Sequence, residues 1–301
     1  ELKDSTSTLA FEQTASDSTR LAAIRTLGKL EGVNTKRLIK LVNSKESKVL
    51  KIAGLESLAR LNLAEAAKLG ANMIAKGQPE DEVLYIFLNR ESGSKALMEA
   101  LAKINLNKTS AARTLTKLQS IGSSDANLMN YLSKVAGIKN TAPIYSPEYV
   151  SNLAKIAAKG DARNGKLIFS IAGCIACHKI NSSSNNGIPF IGPDLETIGN
   201  TLSRERIIEE VIWPNRYVKE GYNLLQVTTN GGDVYQGYEQ RSRERHLILR
   251  PISEAQTITI PQEQIREQSQ LGSAMPTGLT ANLSKKNLAD LIHYLSEKGQ
   301  N

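Results

Sequence analysis

The chain has 301 residues, 40% of them hydrophobic and 23% charged, and its 38 Lys and Arg against 30 Asp and Glu give a net charge of +8. That composition belongs to an ordinary globular protein, not to a disordered or fibrous one, and the length suggests two domains. No apolar run approaches the ~18 residues that span a bilayer, and with aromatics at only 5% and no nucleic-acid motif there is no reason to expect RNA or DNA binding.

The charge is unevenly placed. Residues 1–140 carry 21 Lys/Arg and 14 Asp/Glu, a balance of +7, whereas residues 141–301 carry 17 and 16, a balance of +1. A basic first module can steer an acidic partner or an anionic surface, although a solvated Lys-rich helical face accounts for the same excess. The first residues, Glu1 to Thr6, contain neither an initiator Met nor an apolar signal segment. The chain therefore reads as a mature or excised piece.

In chain order, Leu21–Leu30 and Ile52–Leu61 repeat one another at an offset of 31 residues, with apolar and small residues at matching places. Lys36–Val42 supplies a partner helix, and Lys95–Ile104, Ser110–Ile121 and Asn127–Val135 read as further short amphipathic helices. Paired helices at a period of ~30–45 residues predict a HEAT-like α-solenoid over residues 1–140. Pro143 and Pro147 then forbid a continuous helix and mark a linker at 141–148.

The second module, 149–301, begins with a helix over Tyr149–Ala158. A second follows over Asn164–Ile171, with Asp161 as its cap and Gly165 and Phe169 on one face. Ser203 caps Arg204–Ile212. Ser284–Lys298 closes the chain as a strong amphipathic helix, with Leu288, Leu291, Ile292 and Leu295 on one stripe. Between them, at about 221–265, Tyr222–Thr229 and Val234–Glu239 flank the turn Asn230-Gly231-Gly232-Asp233, and His246–Ile252 and Thr257–Ile260 follow. This pattern predicts a small antiparallel sheet. Its arginines 241, 243, 245 and 250 form either a docking patch or a solvated hairpin tip.

The chemistry sits at Cys174-Ile175-Ala176-Cys177-His178, which hold the chain's two cysteines. Cys-x-x-Cys-His is the attachment sequence of a c-type haem. Two thiols on one turn each form a thioether to a vinyl group of the same porphyrin, and the adjoining His178 takes the iron as proximal ligand. A structural zinc site would need more ligands than the two cysteines and the scattered His246 and His293 supply. A thioredoxin-like pair would follow a strand, not a helix. Met275, beside Pro276 in a Gly- and Pro-bounded loop before the last helix, is the candidate sixth ligand, with core filler as its alternative. His246 and His293 are weaker candidates. A carbonyl of Gly192 or Pro193 is expected to accept the Nδ1–H of His178 and orient its ring. Trp213 reads as a core or haem-wall residue. By fold-level analogy with c-type cytochromes, Gly165 and Phe169 are expected to cross the last helix at Leu291 and Tyr294.

Four blocks carry a family resemblance: Cys174–His178; Gly192-Pro193-Asp194-Leu195; Pro214 through Gly221-Tyr222; and Met275-Pro276 with Gly278-Leu279 before Leu288-Ala289-Asp290-Leu291. Residues from about 160 to 298 resemble the haem-binding domain first described in planctomycetes, a c-type cytochrome module of large exported proteins. Its members are often joined to HEAT-like repeats and to a propeller resembling sugar dehydrogenases. The resemblance implies Cys174 and Cys177 as attachment sites, with His178 and Met275 as axial ligands. The expected protein is mainly α, a solenoid followed by a cytochrome c-like domain with a β insertion. It is expected to carry one covalent haem c outside the cytoplasm, in the periplasm or cell envelope. There it would relay single electrons from a dehydrogenase, such as one acting on sugars, to a cytochrome or oxidase, and would not itself be an enzyme. A haem enzyme or gas sensor with a displaceable sixth ligand is one alternative, and a solenoid scaffold with a secondary redox role is another.

Overall fold

The computed structural model describes residues 2–78, 80–121, 125–139, 141–180, 191–240, 245–252 and 256–300. Over these the chain is mostly helical, with 14 α-helices and one small five-stranded antiparallel sheet. It divides into two compact units: Glu1–Lys117 with Gly232–Val234, and Leu118–Gly231 with Tyr235–Asn301.

The first unit holds α1 (Leu2–Phe11), α2 (Asp17–Leu27), α3 (Thr35–Val42), α4 (Lys48–Leu61), α5 (Leu63–Ala75), α6 (Glu80–Leu88), α7 (Gly93–Lys103) and most of α8 (Lys108–Ser120). Small polar residues start several of these helices by satisfying an otherwise unpaired N–H. The side chains of Ser16, Asn34, Ser47 and Asn62 accept from the N–H groups of Thr19, Lys36, Leu50 and Glu65. The segments repeating at 31 residues fall on α2 and α4, which pack together. A Cβ on Gly28 would lie 2.9 Å from Ser57 Cα, and Ser57 Oγ donates to the Ile24 carbonyl at 2.7 Å. Helices α1, α5 and α6 were not anticipated. Helix α5 begins directly after Asn62, which ends α4 and caps α5 at once, so no turn residues separate the two helices in the sequence.

The second unit contains α9 (Ala126–Ala136), α10 (Pro147–Ala157), α11 (Ala162–Ile171), a 3₁₀ turn at Cys174–Ala176, α12 (Ile198–Thr201) and α13 (Arg204–Ile212). The strands follow: β1 (Asn223–Thr229), β2 (Val234–Glu239), β3 (His246–Pro251), β4 (Ile258–Pro261) and β5 (Ile265–Ser273). Helix α14 (Lys285–Ser296) closes the chain. The stretch before α10 is hydrogen-bonded within this unit. Trp213 Nε1 donates to the Pro143 carbonyl at 2.7 Å, Asn282 Nδ2 donates to the Lys139 carbonyl at 2.8 Å, and Ala142 and Tyr145 pack on the helical core.

Helix α14 organises that core. Its Leu291 and Ile292 are fully buried, and three glycines let neighbouring backbone approach it. A Cβ on Gly160 would come 2.6 Å from His293 Cβ, one on Gly165 2.1 Å from the Asp290 carbonyl oxygen, and one on Gly199 2.1 Å from that of Ser296. Only residues without a side chain permit such contact. One turn along, the rings of Phe169 and Tyr294 meet with centroids 5.9 Å apart at 57°.

The Asp290 carboxylate, almost wholly buried, ties the same crossing together. It accepts the Asp161 N–H at 2.9 Å, Asn164 Nδ2 at 2.7 Å and Lys286 Nζ at 2.6 Å. Burial alone would raise its pKa. The bonds from Lys286, Asp161 and Asn164 outweigh burial and hold it below the ordinary aspartate value.

The sheet runs in the order β4-β3-β2-β1-β5. The fifth strand was not anticipated and carries the sheet past residue 265. It pairs antiparallel with β1 from Asn223↔Ser273 to Thr229↔Ile265, with two register shifts. Most of its central residues are exposed and polar, as suits an edge strand, so period-2 alternation is faint there.

Candidate functional site

Helix α11 ends at Ile171, and Gly173, at φ +81°, turns the chain without the strain a side chain would bring. The next residues wind into the 3₁₀ turn, where the N–H groups of Cys177 and His178 both donate to the Cys174 carbonyl, at 3.2 and 3.0 Å. Cys174, Cys177 and His178 therefore spring from a single turn. Both thiols are free. Burial pushes each up to about 11, so each keeps its proton at neutral pH. The outer face of α11 and the turn is apolar, with Leu167, Ile171 and Ile175 between 57% and 68% exposed.

The segment Ile191–Leu195 lies against this turn. The Gly192 N–H donates to the Cys177 carbonyl at 2.8 Å, and the Leu195 N–H donates to that of Lys179 at 2.9 Å. Between these two bonds, His178 Nδ1 lies 2.9 Å from the Pro193 carbonyl oxygen. A carbonyl only accepts, so Nδ1 carries the hydrogen and Nε2 keeps its lone pair. Burial lowers the His178 pKa and the Pro193 bond partly offsets this, which leaves a neutral ring at neutral pH. The ring rests on Gly192, where a Cβ would sit 2.5 Å from Cε1 and 2.7 Å from Nδ1. Four of the sequence-derived site residues, Cys174, Cys177, His178 and Pro193, thus come together in one place.

Met275 arrives by another route. Strand β5 ends at Ser273, whose N–H donates to Asn215 Oδ1 at 2.8 Å. Ser273 Oγ in turn accepts the Met275 N–H at 3.1 Å. Gly272, at φ +85°, makes room for Asn215, whose Oδ1 would lie 2.3 Å from a Cβ there. Ala274, next to Met275, shares a buried cluster with Leu224 and Tyr238, and Ile191, Tyr222, Ile252 and Leu271 pack against it. Ile191 leads directly into the Gly192 that supports His178. The Met275 loop and the attachment turn are therefore joined through this cluster.

Two residues of this region were not read from the sequence. Asn215 follows Pro214 in what looked like the end of a helix, and its role depends on a strand arriving 58 positions later. Tyr238 looked like one member of a short strand. It is 2% exposed, its ring meets that of Tyr222 with centroids 5.4 Å apart, and the Arg250 guanidinium carbon lies 4.7 Å from its ring centre. Burial holds the phenol well above its ordinary pKa.

The other candidates stand apart. His246 is exposed at the start of β3. His293 Nε2 pairs with Glu297 at 3.1 Å, while its Nδ1 is buried with no partner among the described residues. Trp213 packs edge-on against Tyr145 and Tyr149 and contributes to the helical core. Of the arginines expected to form a patch, Arg245 is exposed and Arg250 lies on Tyr238, while Arg241 and Arg243 fall outside the described residues. Among the described residues no three His, Cys, Asp or Glu side chains group to hold an ion by themselves, and no helix is long and apolar enough to cross a membrane. No protein-family model matches this chain, and no curated protein matches it.

Proposed function

We propose that the chain is a monohaem c-type cytochrome that relays single electrons between redox proteins. The observation that carries this reading is the presence, on one turn, of two free thiols and a neutral imidazole whose Nδ1–H is held by Pro193 and whose Nε2 is left with its lone pair. The residues fit the group. Cys174 and Cys177 would hold a haem through two thioethers, each S–H adding across one vinyl group with no atom lost. His178 Nε2 and Met275 Sδ would be the protein atoms that hold its iron. When bound, haem c supplies a one-electron iron couple.

The chain's own residues do the rest. Pro193 fixes the histidine tautomer and aims the ring. Gly192 lets the backbone close on the ring. Asn215 and Ser273 hold the start of the methionine loop, and the neutral thioether of Met275 favours the reduced state and raises the potential. In the same reading the second unit is cytochrome c-like, and the first is a HEAT-like solenoid that docks or holds a partner. The location is periplasmic or cell-envelope, where covalent haem attachment takes place. The donor is a dehydrogenase, such as one acting on sugars, and the acceptor a cytochrome or oxidase.

Protein purified from its native host tests this directly. Its mass should exceed the 32.8 kDa of the polypeptide by one haem. The oxidised spectrum should show a sulfur-to-iron band that disappears in Met275→Ala, and the reduced protein should bind carbon monoxide slowly or not at all. A colourless protein with the mass of the bare chain overturns the reading. Rapid stoichiometric binding of carbon monoxide by the unaltered protein overturns the relay in favour of a ligand-binding haem.

A further inference from the structure

We propose that the outer face of α11 and the attachment turn, formed by Leu167, Ile171 and Ile175, is where a redox partner docks, and that the partner presents an apolar patch with an acidic rim. This inference rests on the cytochrome reading and deepens it, because it names the docking face and the chemistry of the protein that fits it.

Three observations carry it. Leu167 and Ile171 stand four residues apart, on the side of α11 away from its buried Gly165, Ile168 and Phe169, and Ile175 follows in the 3₁₀ turn. They are 57%, 68% and 57% exposed. An exposed aliphatic residue standing alone is ordinary, but three in succession make a patch of the kind that marks an interaction surface. The second observation is charge. Residues 162–180 contain Arg163, Lys166 and Lys179 and no Asp or Glu. Arg163 lies one turn before Leu167 and Lys166 next to it, both exposed. Lys179 is paired with Asp194 at 3.4 Å, and Asp161, just before the helix, is engaged as its cap. Arg163 and Lys166 therefore set the sign of the rim, and an apolar centre beside cations fits a surface of the opposite charge. A second copy of the same face would bring only further cations against these, so charge disfavours self-pairing. The third observation is position. Ile175 belongs to the attachment sequence itself, between Cys174 and Cys177, so a protein seated here touches the segment that holds the haem in this reading.

The test measures second-order electron-transfer rates of the holoprotein with two small copper proteins of similar potential, one acidic and one basic around an apolar copper edge. Hexacyanoferrate serves as a small probe that needs no docking face. The unaltered protein should react faster with the acidic copper protein than with the basic one. In the double variant Leu167→Ser, Ile171→Ser the rate with the acidic protein should fall about tenfold, and the loss should persist at ~150 mM salt because apolar contact is not screened. Its rate with hexacyanoferrate should stay unchanged. Arg163→Glu with Lys166→Glu should slow the acidic protein about fivefold at ~10 mM ionic strength and far less at ~150 mM. The same reversal at the exposed Lys36 and Lys40 of α3, with an equal change in net charge, should have a smaller effect. The inference is overturned if the Leu167, Ile171 variant keeps the unaltered rate, if it slows hexacyanoferrate equally, or if reversal on α3 costs as much as reversal on α11. A preference for the basic protein overturns the acidic rim, and self-association of the holoprotein that Leu167→Ser, Ile171→Ser abolishes overturns the partner in favour of a second copy. An unaltered protein with no covalent haem would instead sink the cytochrome reading itself.

Discussion

Gly192 carries no side chain because His178 occupies the space that one would need. A methyl placed there would lie 2.5 Å from the ring, so Gly192→Ala should push the imidazole off the Pro193 carbonyl. The expected cost is about 1–3 kcal/mol of holoprotein stability, with a fraction of the haem losing its proximal ligand, read by optical titration in denaturant. Asn215 acts at one remove: Asn215→Ala takes the acceptor from the Ser273 N–H and should loosen the Met275 loop. That variant should lose about 1 kcal/mol of stability and bind carbon monoxide faster in the reduced form, while its haem content stays unchanged. At this scale the sequence is most legible where the chemistry is local. Cys174 to His178 announces itself by spacing, and Gly192-Pro193 offers a carbonyl to a nearby ring. Asn215 and Tyr238 were hidden because their partners are brought together only by the fold.

Among the elements, the crossing of α11 with α14 depends on Gly165 and Asp290. Gly165→Ala would set a Cβ 2.1 Å from a backbone carbonyl, a contact that neither helix can relieve by moving a flexible side chain. We expect a loss of about 2–3 kcal/mol in chemical unfolding. Asp290→Asn removes the charge that Lys286, Asp161 and Asn164 surround and should cost about 2 kcal/mol. The sign of its pH dependence follows from a folded-state pKa held below the unfolded one. The contribution is complete above the ordinary aspartate pKa of about 3.9 and is lost as pH falls through the lower folded value. Acid unfolding monitored by circular dichroism should therefore show a shallower decline in Asp290→Asn than in the unaltered chain. Elements with a clean period or a cap were legible: α13 begins after Ser203 as its cap predicts, and β2 spans Val234–Glu239. Strand β5 was not, because its outward residues are polar and its stability comes from the hydrogen-bond ladder with β1, not from burial of a side-chain face.

For the whole molecule, net charge is the property that acts at a distance. At +8, of which +7 lies on residues 1–140, the proposed cytochrome should exchange electrons with an anionic small oxidant faster than with a cationic one of equal driving force at ~10 mM ionic strength. The gap should close towards ~150 mM, as the screening length falls from ~30 Å to ~8 Å; stopped-flow rates against salt would check this. The two compact units divide near residue 117, whereas the change of pattern along the sequence falls at residues 141–148. Prolines 143 and 147 mark where a helix cannot continue. The bonds from Trp213 and Asn282 that fasten this stretch come from residues remote in sequence.

The seam between the helices that open and close the attachment region has a topological consequence. With Asp290 riveting the cap of α11 to α14, both ends of the intervening polypeptide are anchored to the same frame. A span anchored at both ends lengthens cheaply, at ~0.6 kcal/mol of closure entropy per doubling. The sheet can accordingly be regarded as cargo that the frame carries. Such an excursion is free to acquire new strands or shed old ones, provided that it still returns the chain to α14.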